Sequence, residues 1–269
     1  MRRIGLSTVP ATLCLCAGLL LVGCSSTPKD PTQGWSAERI YQEARDEASA
    51  GAWDKAIGLF EKLEGRAAGT VLAQQAQIEK AHAHYRTNEK VQAIATLDRF
   101  IRLHPTSPAM DYALYLKGLV NFNDNLGLFS SLINQDLSER DQKAAKESYE
   151  SFLELSRRFP DSKYTVDARQ RMVYIVNSLA GYEVHVARYY ARRGAHVAAI
   201  NRAQQALNDY QGVPAAEEAL AILVHSYDAL GMTQLRDDAR RVLNQNYPNS
   251  SFLKNPLVST KSKPWWQLW

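Results

Sequence analysis

The segment Gly51-Ala-Trp-Asp-Lys-Ala-Ile-Gly-Leu-Phe60 decides the fold, because its pattern of residue sizes returns along the chain. A small turn residue is followed two positions later by a larger side chain, five positions later by Ala, and nine positions later by an apolar residue. The frame recurs at residues 88–97 and 194–203, begins again at Gly231, and has Ser148 and Phe152 in the small and large positions of a further unit. Five occurrences of so specific a spacing indicate an internal repeat.

The ends of the units are marked by three similar phrases. Leu103-His-Pro-Thr-Ser107, Phe159-Pro-Asp-Ser162 and Tyr247-Pro-Asn-Ser250 each join a Pro, which cannot continue a helix, to residues that cap the next one. Good helix formers dominate between these phrases, and alternating β-type runs are absent. The pattern is that of tetratricopeptide repeats. It predicts an all-α fold, a right-handed superhelix of about five repeats and about ten helices, whose concave face binds peptides.

The N-terminus predicts a lipoprotein signal peptide over residues 1–23. Arg2 and Arg3 precede an apolar run of about ten residues, which is too short for a membrane span of ~20 residues. The run ends in Leu21-Val22-Gly23-Cys24, a lipobox, so we expect Cys24 to carry the lipid. Ser25, rather than Asp, resembles an outer-membrane address, and residues 24–34 form a polar tether.

The composition of the mature chain favours a binding protein over an enzyme. Cys14 and Cys16 leave with the signal, so no disulfide can form within the chain. Without Arg2 and Arg3, 30 Lys and Arg face 28 Asp and Glu, a balance that gives no argument for nucleic-acid binding. Phosphate-loop, zinc-protease and serine-hydrolase motifs are absent, so we expect no catalytic residues, no cofactor and no metal.

Three stretches resemble one family. Residues 98–119, which begin Asp98-Arg-Phe-Ile-Arg-Leu-His-Pro, are similar to the junction of the second and third repeats in the BamD family of outer-membrane lipoproteins. Residues 182–202 resemble the fourth repeat of that family, and residues 159–169 resemble the segment between. The likeness covers about residues 20–250. It implies a periplasmic scaffold, anchored in the outer membrane, that belongs to the β-barrel assembly machinery.

The resemblance also implies two binding surfaces. The N-terminal repeats of the family receive the C-terminal targeting strand of unfolded outer-membrane β-barrel precursors, and Arg99, Tyr85 and His82 are assigned to that site. An Arg facing a peptide carboxylate is physically reasonable. The C-terminal repeats dock the POTRA region of the barrel subunit BamA, and other lipoproteins of the assembly machinery, such as BamC, are further partners. Arg193, Asn201 and Arg202 match the phrase at the BamA surface, with Arg202 the best candidate for an ion pair.

Three segments depart from the repeat pattern or from the family. Residues 121–140 form an insertion between the N-terminal repeats (35–120) and the C-terminal repeats (141–254), which either packs over the groove or is merely tolerated. Arg66-Ala67-Ala68-Gly69 stands where the family usually has an aromatic residue and Pro. Residues 255–269 end in Lys263-Pro-Trp-Trp-Gln-Leu-Trp269, a tail that could be disordered, pack on the repeats, enter the membrane interface or imitate a targeting strand.

Two other functions stay open from the sequence alone. A repeat lipoprotein that serves pilus secretin assembly, a pilotin, would share the fold, although it lacks the junction phrase and the long insertion. A cell-wall enzyme or its regulator would need a catalytic domain, and the repeats leave no room for one.

Overall fold

The computed structural model describes the backbone of residues 30–122 and 139–254, and all of its regular structure there is helical. Ten of these helices are full length, and a single turn, α11, follows them. They are α1 (Ala37–Ser49), α2 (Trp53–Arg66), α3 (Val71–Arg86), α4 (Lys90–Leu103), α5 (Met110–Asn121), α6 (Glu139–Arg158), α7 (Thr165–Arg192), α8 (His196–Asp209), α9 (Ala215–Ala229), α10 (Thr233–Asn246) and α11 (Ser251–Lys254).

The frame that defines the repeats in the sequence is a backbone feature in the structure. Gly51, Asn88, Gly194 and Gly231 all have a positive φ, between 62° and 80°. In each case the backbone amide two residues after the C-cap of the preceding helix donates a hydrogen bond to a carbonyl of that helix. In the second repeat, for example, Glu89 N donates to the His84 carbonyl at 2.8 Å. The second helix then begins two residues after the turn and is 14 residues long in all four repeats.

From α1 to α10 each helix packs against the next along the chain, and first helices also contact one another, as α1 does α3 and α7 does α9. This is the packing of a tetratricopeptide-type superhelix, and it confirms the predicted fold class. The small residues of the frame lie where the helices cross, since Ala56, Ala93, Ser148 and Ala199 are all fully buried.

The two helices of the third repeat approach each other closely at Gly118. The Phe152 ring of α6 lies so near Gly118 of α5 that a Cβ at Gly118 would stand 2.3 Å from it. Ser148, one turn earlier in α6, donates a 2.8 Å hydrogen bond to the Gly118 carbonyl. A small residue at each position therefore brings the helices of this repeat together.

In the part of the chain that the structure describes, the last repeat is not followed by another full repeat. In α10 the buried residues are Ala239 and Leu243, and the face formed by Asp237, Arg241 and Asn244 is exposed. A polar outer face of this kind is typical of the terminal unit of a repeat protein.

Several predictions fall on residues outside the described ranges. The signal peptide, Cys24, most of the 121–140 insertion and the Trp-rich tail are among them. Of the helices in the described ranges, none is both long and apolar enough to cross a membrane.

Candidate functional site

A cavity of about 180 Å³ lies where α2, α3 and α4 meet, and Arg99 stands at its edge. We name it the Gln77 niche, and it is lined by Glu64, Gln77, Lys80, Ala95, Thr96 and Arg99. Lys80 Nζ lies 2.7 Å from Glu64 Oε1, and both side chains are about nine-tenths buried. Arg99 Nη2 is 3.7 Å from Glu64 Oε2, while more than half of the Arg99 side chain is exposed.

The amide of Gln77 is the unusual group in this niche. Gln77 is 7% exposed, and no group in the described part of the chain hydrogen-bonds its Oε1. A buried polar atom without a partner costs roughly 1–3 kcal/mol. Two cations and one carboxylate surround it, so the niche has a net positive charge. The arrangement suits a group that brings an acceptor to Arg99 and a partner to the Gln77 amide.

The positions equivalent to Gln77 are filled differently in the other three repeats that have a positive-φ turn. Gln77 stands 11 residues before Asn88, the turn residue of its repeat, and Thr96, which faces Gln77, stands 8 residues after Asn88. In the first repeat these positions hold Ile40 and Leu59, which pack in one apolar cluster. In the last repeat they hold Leu220 and Ala239, both buried.

The fourth repeat fills the same position with an ion pair. Glu183 is the equivalent of Gln77, and Arg202 is the equivalent of Thr96. Arg202 Nη1 donates a 3.0 Å hydrogen bond to Glu183 Oε2, and the Glu183 side chain is only 4% exposed. The hydrogen bond with Glu183 raises the pKa of Arg202 above its usual value. The second repeat has neither the apolar packing nor the ion pair, which is why a cavity remains.

The sequence of this chain matches the model of a known protein family. The family, described as YfiO, outer membrane lipoprotein, matches residues 34–243, which is most of the chain. The chain belongs to the YfiO family. A relative from Neisseria meningitidis serogroup B, named outer membrane protein assembly factor BamD, is 48% identical over 257 residues, 94% of this chain and 96% of the relative. Relatives of the same name from Vibrio cholerae and Haemophilus influenzae are 34% and 30% identical, over 84% and 91% of this chain and 94% and 96% of their own length.

Membership of the YfiO family confirms the resemblance seen in the sequence, but the structure separates the three side chains assigned to the precursor site. Arg99 lines the niche. His82 lies on another face of α3, edge-on to Trp53 with ring centroids 5.8 Å apart, and burial lowers its pKa. Tyr85 packs against the apolar cluster that contains Ile78.

The residues assigned to the partner surface of this YfiO-family chain lie around the junction of α7 and α8. Arg193 caps α7, and its guanidinium lies 5.1 Å from the centre of the Tyr189 ring. Asn201 is exposed on α8, one residue before Arg202. Arg202 already pairs with Glu183 within the chain, and its ion pair with a partner stays a prediction.

The sequence reasoning missed Gln77, Lys80 and Glu64. Gln77 could have been found from the sequence, because it is a neutral polar residue at a repeat position that holds Ile40 in the first repeat and Leu220 in the last. The Lys80–Glu64 pair gave no such signal, since it joins two helices of different repeats. No group of three potential metal ligands is formed by the residues that the structure describes.

Proposed function

We propose that this chain is a non-enzymatic scaffold lipoprotein of the outer-membrane β-barrel assembly machinery. It binds unfolded barrel precursors with its N-terminal repeats and the POTRA region of BamA with its C-terminal repeats, and it promotes insertion into the outer membrane. Family membership, with relatives named outer membrane protein assembly factor BamD, is the observation that carries this proposal.

Precursor binding is assigned to the Gln77 niche, with Arg99 as the residue that meets the precursor. More than half of the Arg99 side chain is exposed, and its Nη2 is 3.7 Å from Glu64 Oε2, so an incoming carboxylate has access to it. Bidentate pairing of Arg with a carboxylate is stronger than a neutral hydrogen bond. The terminal carboxylate of a precursor is therefore the group that best fits the edge of the niche.

Partner binding is assigned to the surface around Arg193 and Asn201, at the junction of α7 and α8. Both side chains are exposed, and Arg193 is held over the Tyr189 ring, which limits its conformations before binding. The buried Glu183 anchors the neighbouring Arg202 at this surface. Cys24 carries the lipid that keeps the protein on the periplasmic face of the outer membrane. Other lipoproteins of the machinery, such as BamC, are further partners.

The precursor site is tested by measuring the affinity of the protein for a peptide that has the sequence of the last residues of a barrel precursor. We expect Arg99→Ala to weaken binding about tenfold, since one charge-assisted hydrogen bond contributes roughly 1.5 kcal/mol. Amidation of the peptide's terminal carboxylate should weaken binding to the unchanged protein by a similar factor. Titration followed by fluorescence anisotropy measures both effects.

Arg241→Ala is the matched control, because Arg241 is an exposed arginine of α10 with a single surface ion pair to Asp238. It should leave the affinity unchanged. Equal affinities for Arg99→Ala and the unchanged protein would remove the precursor site from the Gln77 niche.

A further inference from the structure

The chain is fixed to the first repeat before the first helix begins. Asp30 accepts hydrogen bonds from Lys62 Nζ at 2.6 Å and from Arg66 Nη2 at 2.7 Å. Arg66 Nη1 also donates to the Thr32 carbonyl at 2.7 Å, and Thr32 is 1% exposed. We name the four residues Asp30, Thr32, Lys62 and Arg66 the N-terminal clamp.

The clamp is a closed set of contacts rather than one surface ion pair. Thr32 donates to Asp30 Oδ1 through both its amide and its hydroxyl, at 3.1 and 2.8 Å. Each ion pair is about one-third exposed and contributes little alone. Together with the buried Thr32, the contacts hold the chain to the C-terminal end of α2.

The clamp shortens the free segment between Cys24 and the folded repeats, and so limits how far the repeats can lie from Cys24. Asp30 comes six positions after Cys24, and an extended chain spans at most about 3.6 Å per position, or about 22 Å. If the chain were first held at Ala37, where α1 begins, the limit would be about 47 Å. The clamped end of α2 is therefore the part of the fold with the shortest connection to Cys24.

The clamp and the Gln77 niche lie at the same end of α2. Glu64, which lines the niche, comes two residues before Arg66. Lys55 lies near the opposite end of the helix, ten residues before Gly65, which corresponds to about 15 Å along the helix axis.

We propose that the clamped end of the first repeat faces the bilayer surface, so that the Gln77 niche opens close to the inner leaflet of the outer membrane. This inference rests on the proposed lipid anchor at Cys24. The partner of this end of the molecule is the lipid surface that holds the anchor. A precursor strand in the niche is then presented beside the membrane that it must enter.

The experiment measures which end of α2 is nearer to lipid. Cys24 is the only Cys of the mature chain, and lipid blocks its thiol, so an introduced Cys takes a fluorophore alone. Gly65→Cys and Lys55→Cys give two exposed label sites, and a Cβ at Gly65 meets nothing within 4 Å. The lipidated protein is placed in phosphatidylethanolamine and phosphatidylglycerol nanodiscs with acceptor dyes on the headgroups, and energy transfer is measured from each site.

We expect the label at position 65 to be up to about 15 Å nearer to the headgroups than the label at position 55. The double substitution Asp30→Ala and Arg66→Ala should abolish that difference, and Asp30→Asn alone should reduce it if the double variant does not fold. Asp238→Ala, which removes an exposed ion pair of α10, should preserve it.

Equal distances in the unchanged protein, or a difference that survives loss of the clamp, would overturn this inference alone. Intact mass spectrometry distinguishes failure of this inference from failure of the proposed lipoprotein function. A mature chain without lipid on Cys24 would overturn the lipoprotein function together with the inference.

Discussion

At one position of the repeat frame, the residue present decides whether the site is packed, holds an ion pair or borders a cavity. Ile40 and Leu220 fill this position with apolar side chains, and Glu183 fills it with half of an ion pair. Gln77 does neither, and its amide borders a cavity of about 180 Å³. Polar residues at Gln77 and the facing Thr96 are what distinguish this candidate binding site from the packed sites of the other repeats.

The Arg202–Glu183 pair leads to a prediction on stability. Arg202→Ala should lower the free energy of unfolding by about 1–3 kcal/mol, because it leaves the buried Glu183 carboxylate without its partner. Adding Glu183→Gln to that variant should recover part of the loss, since a neutral amide is less costly to bury. Urea denaturation followed by circular dichroism measures both. A double variant no more stable than Arg202→Ala would show that the pair is not what stabilises this position.

At the scale of helices, the turns and the second helices of the repeats were predictable from the sequence. Gly51, Gly194 and Gly231 stand at turns that require a positive φ, and Asn88 takes the same conformation without being Gly. The N-terminal clamp was not predictable, because Asp30 and Arg66 belong to segments that only the folded chain brings together. The same reason hid the Lys80–Glu64 pair. Local sequence defines helices and turns, whereas contacts between different elements depend on the completed packing.

The contact between α5 and α6 gives a prediction at this scale. Gly118→Ala should destabilise the protein by about 1–3 kcal/mol, because the new Cβ would overlap the Phe152 ring and force the two helices apart. Gly181→Ala is the matched control in the interior of α7, where a Cβ meets nothing within 4 Å. It should stabilise the helix by roughly 0.5–1 kcal/mol. Thermal denaturation of the two variants compares them directly, and a loss of stability in both would contradict the steric explanation.

At the scale of the whole molecule, the repeats separate two surfaces along one scaffold. The Gln77 niche belongs to the first and second repeats, and the Arg193–Asn201 surface belongs to the fourth. Each repeat contacts mainly its neighbours, so the scaffold holds the two surfaces apart at a fixed spacing. In the proposed function, the scaffold would then bring a precursor at one surface and the barrel subunit at the other to the same machine.

Site-specific photo-crosslinking in native membranes tests this account most directly. A photoreactive residue at Ala95, on the exposed edge of the niche, should crosslink to barrel precursors, and one at Asn201 should crosslink to the barrel subunit. Val166, exposed on α7, serves as the control position and should give neither product. If Ala95 captures no precursor and Asn201 captures no barrel subunit while the protein is folded and membrane-bound, the scaffold function proposed for this chain is wrong.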